Sequence, residues 1–202
     1  MDIYCRTCQA EPMDGKESAR QAHVLETALT VFLRHGFRKT SMEDIAQAAG
    51  ISRQGIYLHF KDKDAIFSAA IQKALDGGLH AANRVLDDDH LALEEKLLKA
   101  LDEWIGRYVE LRDPEASDLV GQCERVLGNA LEKSRSEFQK KIEKVILARS
   151  ARKTKGADKR AAIIADMLCT CGEVWQFGVS SRQGFSQKMR DAIRLCCRDL
   201  LD

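Results

Sequence analysis

The stretch whose reading decides the fold is Met42–Phe60, MEDIAQAAGISRQGIYLHF. Met42, Ile45, Ala46 and Ala49 recur at three- and four-residue steps, the period of one helical face. Gly50 then supplies a turn, and Ile56, six residues later, returns an apolar anchor from a second short helix. Two helices crossing steeply through a tight turn need a small residue where they approach and a glycine where the chain reverses. Ala46 and Gly50 meet those needs, and Ile45 and Ile51 complete the shared core. Ser52 is placed to cap the second helix through its hydroxyl.

Outward from this pair, the period continues in both directions. Ala22, Leu25, Ala28, Leu29 and Phe32 mark a preceding helix that Gly36 is expected to end, with Phe37 folding back onto Phe32 in a Schellman arrangement. Thr40-Ser41-Met42-Glu43 has the spacing of a capping box, read with the Thr40 hydroxyl and Glu43 as its reciprocal partners. Asp62 caps a fourth, longer helix that turns Ile66, Phe67, Ala70, Ile71 and Ala74 inward. Residues 1–15 show no period and read as a mobile tail.

Beyond Gly77-Gly78 the chain stays helical. Asp87-Asp88-Asp89 reads as a loop, followed by a helix with Leu93, Leu97, Leu101, Trp104, Ile105 and Tyr108 on one face, which Pro114 ends. A long amphipathic segment runs from about Ser117 to Arg149, and Ala151–Ala157 forms the next loop. Two last helices are expected, about Asp158–Val179 and Ser186 to the C-terminus, divided near Gly184. With two prolines and no run of alternating β-branched residues, the fold class is all-α. The organisation is a tail at 1–15, a three-helix helix-turn-helix domain at 16–63 and a larger helical domain at 64–202.

The formal net charge of +1 decides nothing about nucleic acid, but its distribution is uneven. Residues 16–63 carry eight Lys/Arg against five Asp/Glu, a mildly basic segment compatible with phosphate contacts. No stretch reaches the ~18 apolar residues of a membrane span, and the N-terminus lacks the pattern of a secretory signal. Seven cysteines at no framework spacing suit a reducing compartment, so a cytoplasmic protein is expected. Cys5 and Cys8 lack a second pair that would make a zinc site. The five histidines form no i, i+4 pair, so no metal and no cofactor are expected. No nucleophile elbow, phosphate loop or dinucleotide fingerprint occurs, and an enzyme is not expected.

The flanks sharpen the reading. Thr40, Ser41, Asp44, Ile45, Ala46, Ala49, Gly50, Ile51, Ser52, Ile56, Tyr57, His59, Phe60, Asp62 and Lys63, preceded by His35-Gly36-Phe37, resemble the N-terminal domain of the tetracycline-repressor (TetR) family. The resemblance covers about residues 18–75 and implies a dimeric regulator that binds operator DNA. A recognition helix enters the major groove N-terminus first, so Arg53 and Gln54 are the candidates for base contacts, and Gly55 allows close approach. Tyr57 and His59 are candidates for phosphate contacts. Thr40, Ser41, Ser52 and Lys63 lie at helix N-termini, where free N–H groups favour an anion.

The rest of the chain supplies the other candidate surfaces. Trp104, Tyr108, Cys123, Phe138, Met167 and Trp175 could line an apolar effector cavity, or simply fill the core. Ile164, Leu168, Cys171 and Trp175 on one helix, and Phe185, Met189, Ile193, Cys197 and Leu200 on the next, form stripes expected at a dimer interface. The partners expected are therefore double-stranded operator DNA, a second copy of the chain and a small hydrophobic or aromatic effector. A constitutive DNA-binding protein, a redox-responsive regulator using the C-terminal cysteines, and a helical interaction module or enzyme that keeps the trihelical scaffold without DNA binding remain alternatives.

Overall fold

The computed structural model describes residues 15–113, 118–150 and 156–201, with side chains from residue 18. The expected tail up to residue 14, Cys5 and Cys8 within it, Pro114 and most of the Ala151–Ala157 stretch lie outside the described residues. The described chain is all-helical: α1 (Gly15–Lys39), α2 (Met42–Ala48), α3 (Arg53–His59), α4 (Lys63–Leu86), α5 (Leu93–Trp104), a 3₁₀ segment (Gly106–Leu111), α6 (Asp118–Arg149), α7 (Ala157–Gly178) and α8 (Arg182–Cys196).

Two apolar cores organise these elements. The first joins Val24, Ala28 and Phe32 of α1 to Ile45 and Ala46 of α2, Ile56 of α3 and Ile66, Phe67 and Ala70 of α4. Phe32, Phe37 and Phe67 form its aromatic centre, with ring centroids 5.0 Å apart for Phe32–Phe67 and 5.1 Å for Phe37–Phe67. Each fully buried side chain of this size contributes roughly 1.5–3 kcal/mol, which is what holds helices as short as α2 and α3. The second core collects Leu97 and Leu101 of α5, Phe138, Ile142 and Ile146 of α6, Ile164 and Leu168 of α7, and Phe185, Met189 and Ile193 of α8. Helix α4 belongs to both, since Ala82 and Leu86 at its far end enter the second core. The first core thus extends beyond residue 63 and also takes Leu119 from α6.

Several boundaries differ from the expectation, each for a local reason. Gly36 adopts φ 79°, ψ 167°, which kinks α1 rather than closing it in a Schellman motif. That conformation is essentially open to glycine alone. Phe37 nevertheless stacks on Phe32 at 5.8 Å. Gly36→Ala should therefore cost about 1–3 kcal/mol, read as a lower urea midpoint with an unchanged m-value. The Schellman closure occurs instead at α2. Gly50 (φ 66°) follows the last turn, its N–H donates to the Gln47 carbonyl at 3.2 Å, and the Ile51 N–H donates to the Ala46 carbonyl at 3.0 Å.

The helix after the acidic loop ends at Trp104 rather than near Pro114, and Gly106 opens the 3₁₀ segment. A Cβ at Gly106 would lie 2.8 Å from a Phe185 ring carbon, so the chain passes α8 too closely for a side chain. At α8 the break falls before Ser181, whose hydroxyl accepts the Gly184 N–H at 3.0 Å. Gly184 is thus inside the first turn and not a divider. α6 runs as expected to Arg149 but kinks at Gly128 (φ 28°).

Candidate nucleic-acid interface and effector cavity

The Schellman turn at Gly50 sets α3 against α2, and Ile56, fully buried, pins it to the first core. Ser52 caps α3 by accepting the Gly55 N–H at 3.0 Å. With Ile56 inside, the opposite face of α3 presents Arg53, Gln54, Tyr57 and Leu58 to solvent. Arg53 Nη1 lies 3.2 Å from Glu43 Oε2, an exposed pair that braces the two helices without immobilising the guanidinium. Gly55 and His59 are half-buried at the edges of this face. A Cβ at Gly55 would sit 3.2 Å from the Ser52 hydroxyl oxygen, so glycine here also serves the cap.

Leu58, 79 % exposed, belongs to neither core among the described residues and does not stand out in the sequence. A signal exists all the same: two residues after the inward Ile56 of a seven-residue helix, it cannot share that residue's face. Lys61, just beyond α3, is likewise exposed and makes a 3.8 Å contact with its neighbour Asp62.

Other expected contact residues make hydrogen bonds within the chain. Thr40 is 2 % exposed, and its hydroxyl donates to the Gly36 carbonyl at 2.7 Å. The cap of α2 falls one residue later than expected: Ser41 accepts the Asp44 N–H, and Asp44 rather than Glu43 accepts the Ser41 backbone N–H. The hydrogen bonds from the Ser41 hydroxyl and N–H hold the Asp44 carboxyl below its ordinary range. A carboxylate thus occupies the anion position at the start of α2. Lys63 Nζ donates to the Phe37 and Thr40 carbonyls at 2.9 and 2.8 Å and sits 4.3 Å over the Phe37 ring. The ammonium thus ties the start of α4 to the backbone between α1 and α2.

Between the two cores lies a cavity of about 820 Å³. Leu29 and Leu33 of α1, Ile71 and Leu75 of α4, and side chains from the 3₁₀ segment, α6 and α7 form its walls. Trp104, Tyr108 and Cys123 line it, whereas the other expected residues do not. Phe138 is fully buried in the second core, 5.3 Å from the Trp104 ring. Met167 is on the outer face of α7, and Trp175 is half-buried against the second core. Burial pushes the Tyr108 hydroxyl and the Cys123 thiol up, the latter to about 11. Burial likewise raises Cys169 to about 12 and Cys197 to about 11, so these sulfurs are thiols at neutral pH.

The stripes expected at a dimer interface face the chain's own core. Ile164, Leu168, Phe185, Met189, Ile193, Cys197 and Leu200 are buried within the chain, and Cys171 is half-buried. The strongest apolar period belongs to the face packed against α5 and α6. The apolar side chains that α7 leaves in solvent are Ile163, Met167, Val174 and Phe177, and α8 adds Leu195. Among the described residues no group of His, Cys, Asp and Glu is placed to hold a metal, and no helix is long and apolar enough to cross a membrane.

Residues 24–70 match the family model for bacterial regulatory proteins of the tetR family. The chain is 38% identical over 84 residues to the uncharacterized HTH-type transcriptional regulator YfiR of Bacillus subtilis, spanning 42% of this chain and 40% of that one. It is 33% identical over 115 residues to the HTH-type transcriptional regulator RutR of Escherichia coli, spanning 56% and 50%. The match therefore spans half or less of the length of these curated relatives. Solved structures align over nearly the whole chain. A TetR-like transcriptional regulator from Rhodococcus sp. RHA1 gives a TM-score of 0.64 at 25% identity, covering 91% of this chain and 96% of that one. A transcriptional regulator from Cytophaga hutchinsonii gives 0.67 at 17% identity, covering 94% and 100%. The turn at Gly50 and the caps at Ser41 and Ser52 lie within residues 24–70, the segment that is similar to bacterial regulatory proteins of the tetR family, and the all-helical remainder is similar in fold to the solved transcriptional regulators.

Proposed function

We propose that the protein is a homodimeric, sequence-specific DNA-binding transcriptional repressor, released from a palindromic operator by a small hydrophobic effector. The observation that carries the reading is the outer face of α3, where Arg53, Gln54, Tyr57 and Leu58 stand in solvent while Ile56 anchors the helix. Arginine and glutamine offer bidentate partners to guanine and adenine edges, and an exposed leucine suits a thymine methyl. Tyr57, His59 and Lys61 flank that face at the level where phosphates would pass. Thr40 and Lys63, whose polar groups are spent inside the chain, serve as braces for α2 rather than as phosphate contacts.

One recognition helix reads too few base pairs for useful specificity, so two copies are required. The exposed stripe Ile163, Met167 and Val174 on α7, which at Val174 also borders the cavity, is the surface for the second copy. The cavity between the cores is the effector site, and its walls include both α1 and α4, the helices that carry α2 and α3. An effector that binds the DNA-competent form ~100-fold more weakly shifts the equilibrium by about 2.7 kcal/mol. The cavity favours this reading over a constitutive binder. Burial keeps Cys123, Cys169 and Cys197 as thiols, which weighs against a switch at those three.

Selection of bound duplexes from a random pool tests the function directly. The expected product is an inverted repeat, with affinity that falls steeply with salt as counterions are released. Enrichment of no sequence, or of one without two-fold symmetry, would defeat the proposal.

A further inference from the structure

The cavity wall carries a guanidinium that the chain does not fully partner. Arg112 follows the 3₁₀ segment and borders the cavity. Its Nη2 donates to Gln176 Oε1 at 3.0 Å, and its guanidinium carbon lies 4.3 Å from the centre of the Phe177 ring. Its Nη1 is shielded from solvent and has no hydrogen-bond partner among the described residues. Burial pulls this guanidinium below the usual arginine range, yet it stays charged at any physiological pH. The other arginine of the cavity, Arg135, is already answered: its Nε and Nη2 reach the Glu173 carboxylate at 2.6 and 2.7 Å. A buried charged donor without an acceptor is costly, and an acceptor in the cavity that the guanidinium turns to meet recovers that cost.

We infer that the cavity takes an amphipathic organic monoanion, a carboxylate on a hydrophobic or aromatic body, with the carboxylate held by Arg112. The volume of about 820 Å³ suits a ligand of drug-like size, and the walls away from Arg112 are largely apolar. Exposed Asp113, Glu124 and Glu132 also border the cavity, and their charge disfavours a dianion such as a phosphate monoester. Arg112 is also well placed for transmission. The next residue, Asp113, donates its backbone N–H to the Leu33 carbonyl of α1 at 3.0 Å, and Leu33 itself borders the cavity. This assignment rests on the effector reading above and specifies its ligand class.

The test uses the full chain with decanoate and 1-naphthoate against 1-decanol and 1-naphthol, titrated by calorimetry. The carboxylates are expected to bind about tenfold or more tightly than the alcohols of the same body. Arg112→Met should remove that advantage while leaving alcohol binding intact, and an unchanged melting temperature would establish that the variant folds. Equal affinity for acid and alcohol, no binding of either acid, or undiminished acid binding by Arg112→Met would each overturn the assignment. Operator release is measured separately by fluorescence anisotropy. Arg112-dependent binding of the acid with no release would uphold the anion site and sink the effector reading instead.

Discussion

Replacing Arg53 and Gln54 together by alanine should abolish operator recognition while leaving the fold intact. Both side chains stand in solvent on α3, and neither contributes to the first core. Within the chain the double substitution breaks the exposed Arg53–Glu43 ion pair, of a kind that adds little to stability. Each base contact carries ~1–3 kcal/mol of discrimination, and a dimer forfeits each one in both half-sites. The combined loss of about 4 kcal/mol or more amounts to roughly a thousandfold or greater drop toward the non-specific level. Residual binding should keep its salt dependence, because the phosphate contacts survive. Gel-shift titration against the selected operator and a scrambled duplex reads both effects. A variant that still separates the two duplexes as the wild type does would remove α3 from the groove.

The same experiment separates Arg53 and Gln54 from residues that look equivalent in the sequence. Lys63→Ala deletes a charge that a motif-based reading places on phosphate, and it also removes two hydrogen bonds to the Phe37 and Thr40 carbonyls. It should therefore register first in stability, and only through that in DNA binding. The distinction was not legible in the sequence because it turns on Gly36. The glycine was visible as a break, but its ψ of 167° was not, and that angle leaves the carbonyls which Thr40 and Lys63 then satisfy. By contrast, the turn at Gly50 and the caps at Ser52 and Asp62 were legible, because each depends on residues within about one helical turn.

In the second domain the sequence disclosed the helices but not the direction each face points. A period of 3.6 identifies an apolar stripe without saying whether the chain's own core or a second copy covers it. Phe185, Met189 and Ile193 make the clearest stripe on α8 for the reason that they are core, fully buried in a cluster that also holds α5, the 3₁₀ segment and α7. Arg112 was invisible for a similar reason. Its surroundings are set by Gln176 and Phe177, which α7 brings to it from more than sixty residues away in sequence.

The outer face of α7 is where that ambiguity can be resolved. Ile163, Met167 and Val174 are between 47% and 62% exposed, and their spacing puts them on one side of the helix. Asp166 and Glu173 border this stripe and are tied to α6 through Gln139 and Arg135, which leaves the apolar residues as its centre. A Met167→Glu, Val174→Glu variant removes no buried side chain, so helicity and melting of the isolated chain should hold. In a two-fold interface, however, each glutamate is met by the same patch on the partner, and four desolvated like charges cannot be accommodated. Sedimentation velocity should then show a monomer. Losing the tethered second half-site removes the avidity of the pair, so operator affinity should fall by ~10²–10⁴ although every DNA-contacting residue is untouched. A variant that remains dimeric would move the interface off α7, and one that is monomeric yet binds the full operator as tightly would show that pairing is not what gives the protein its affinity.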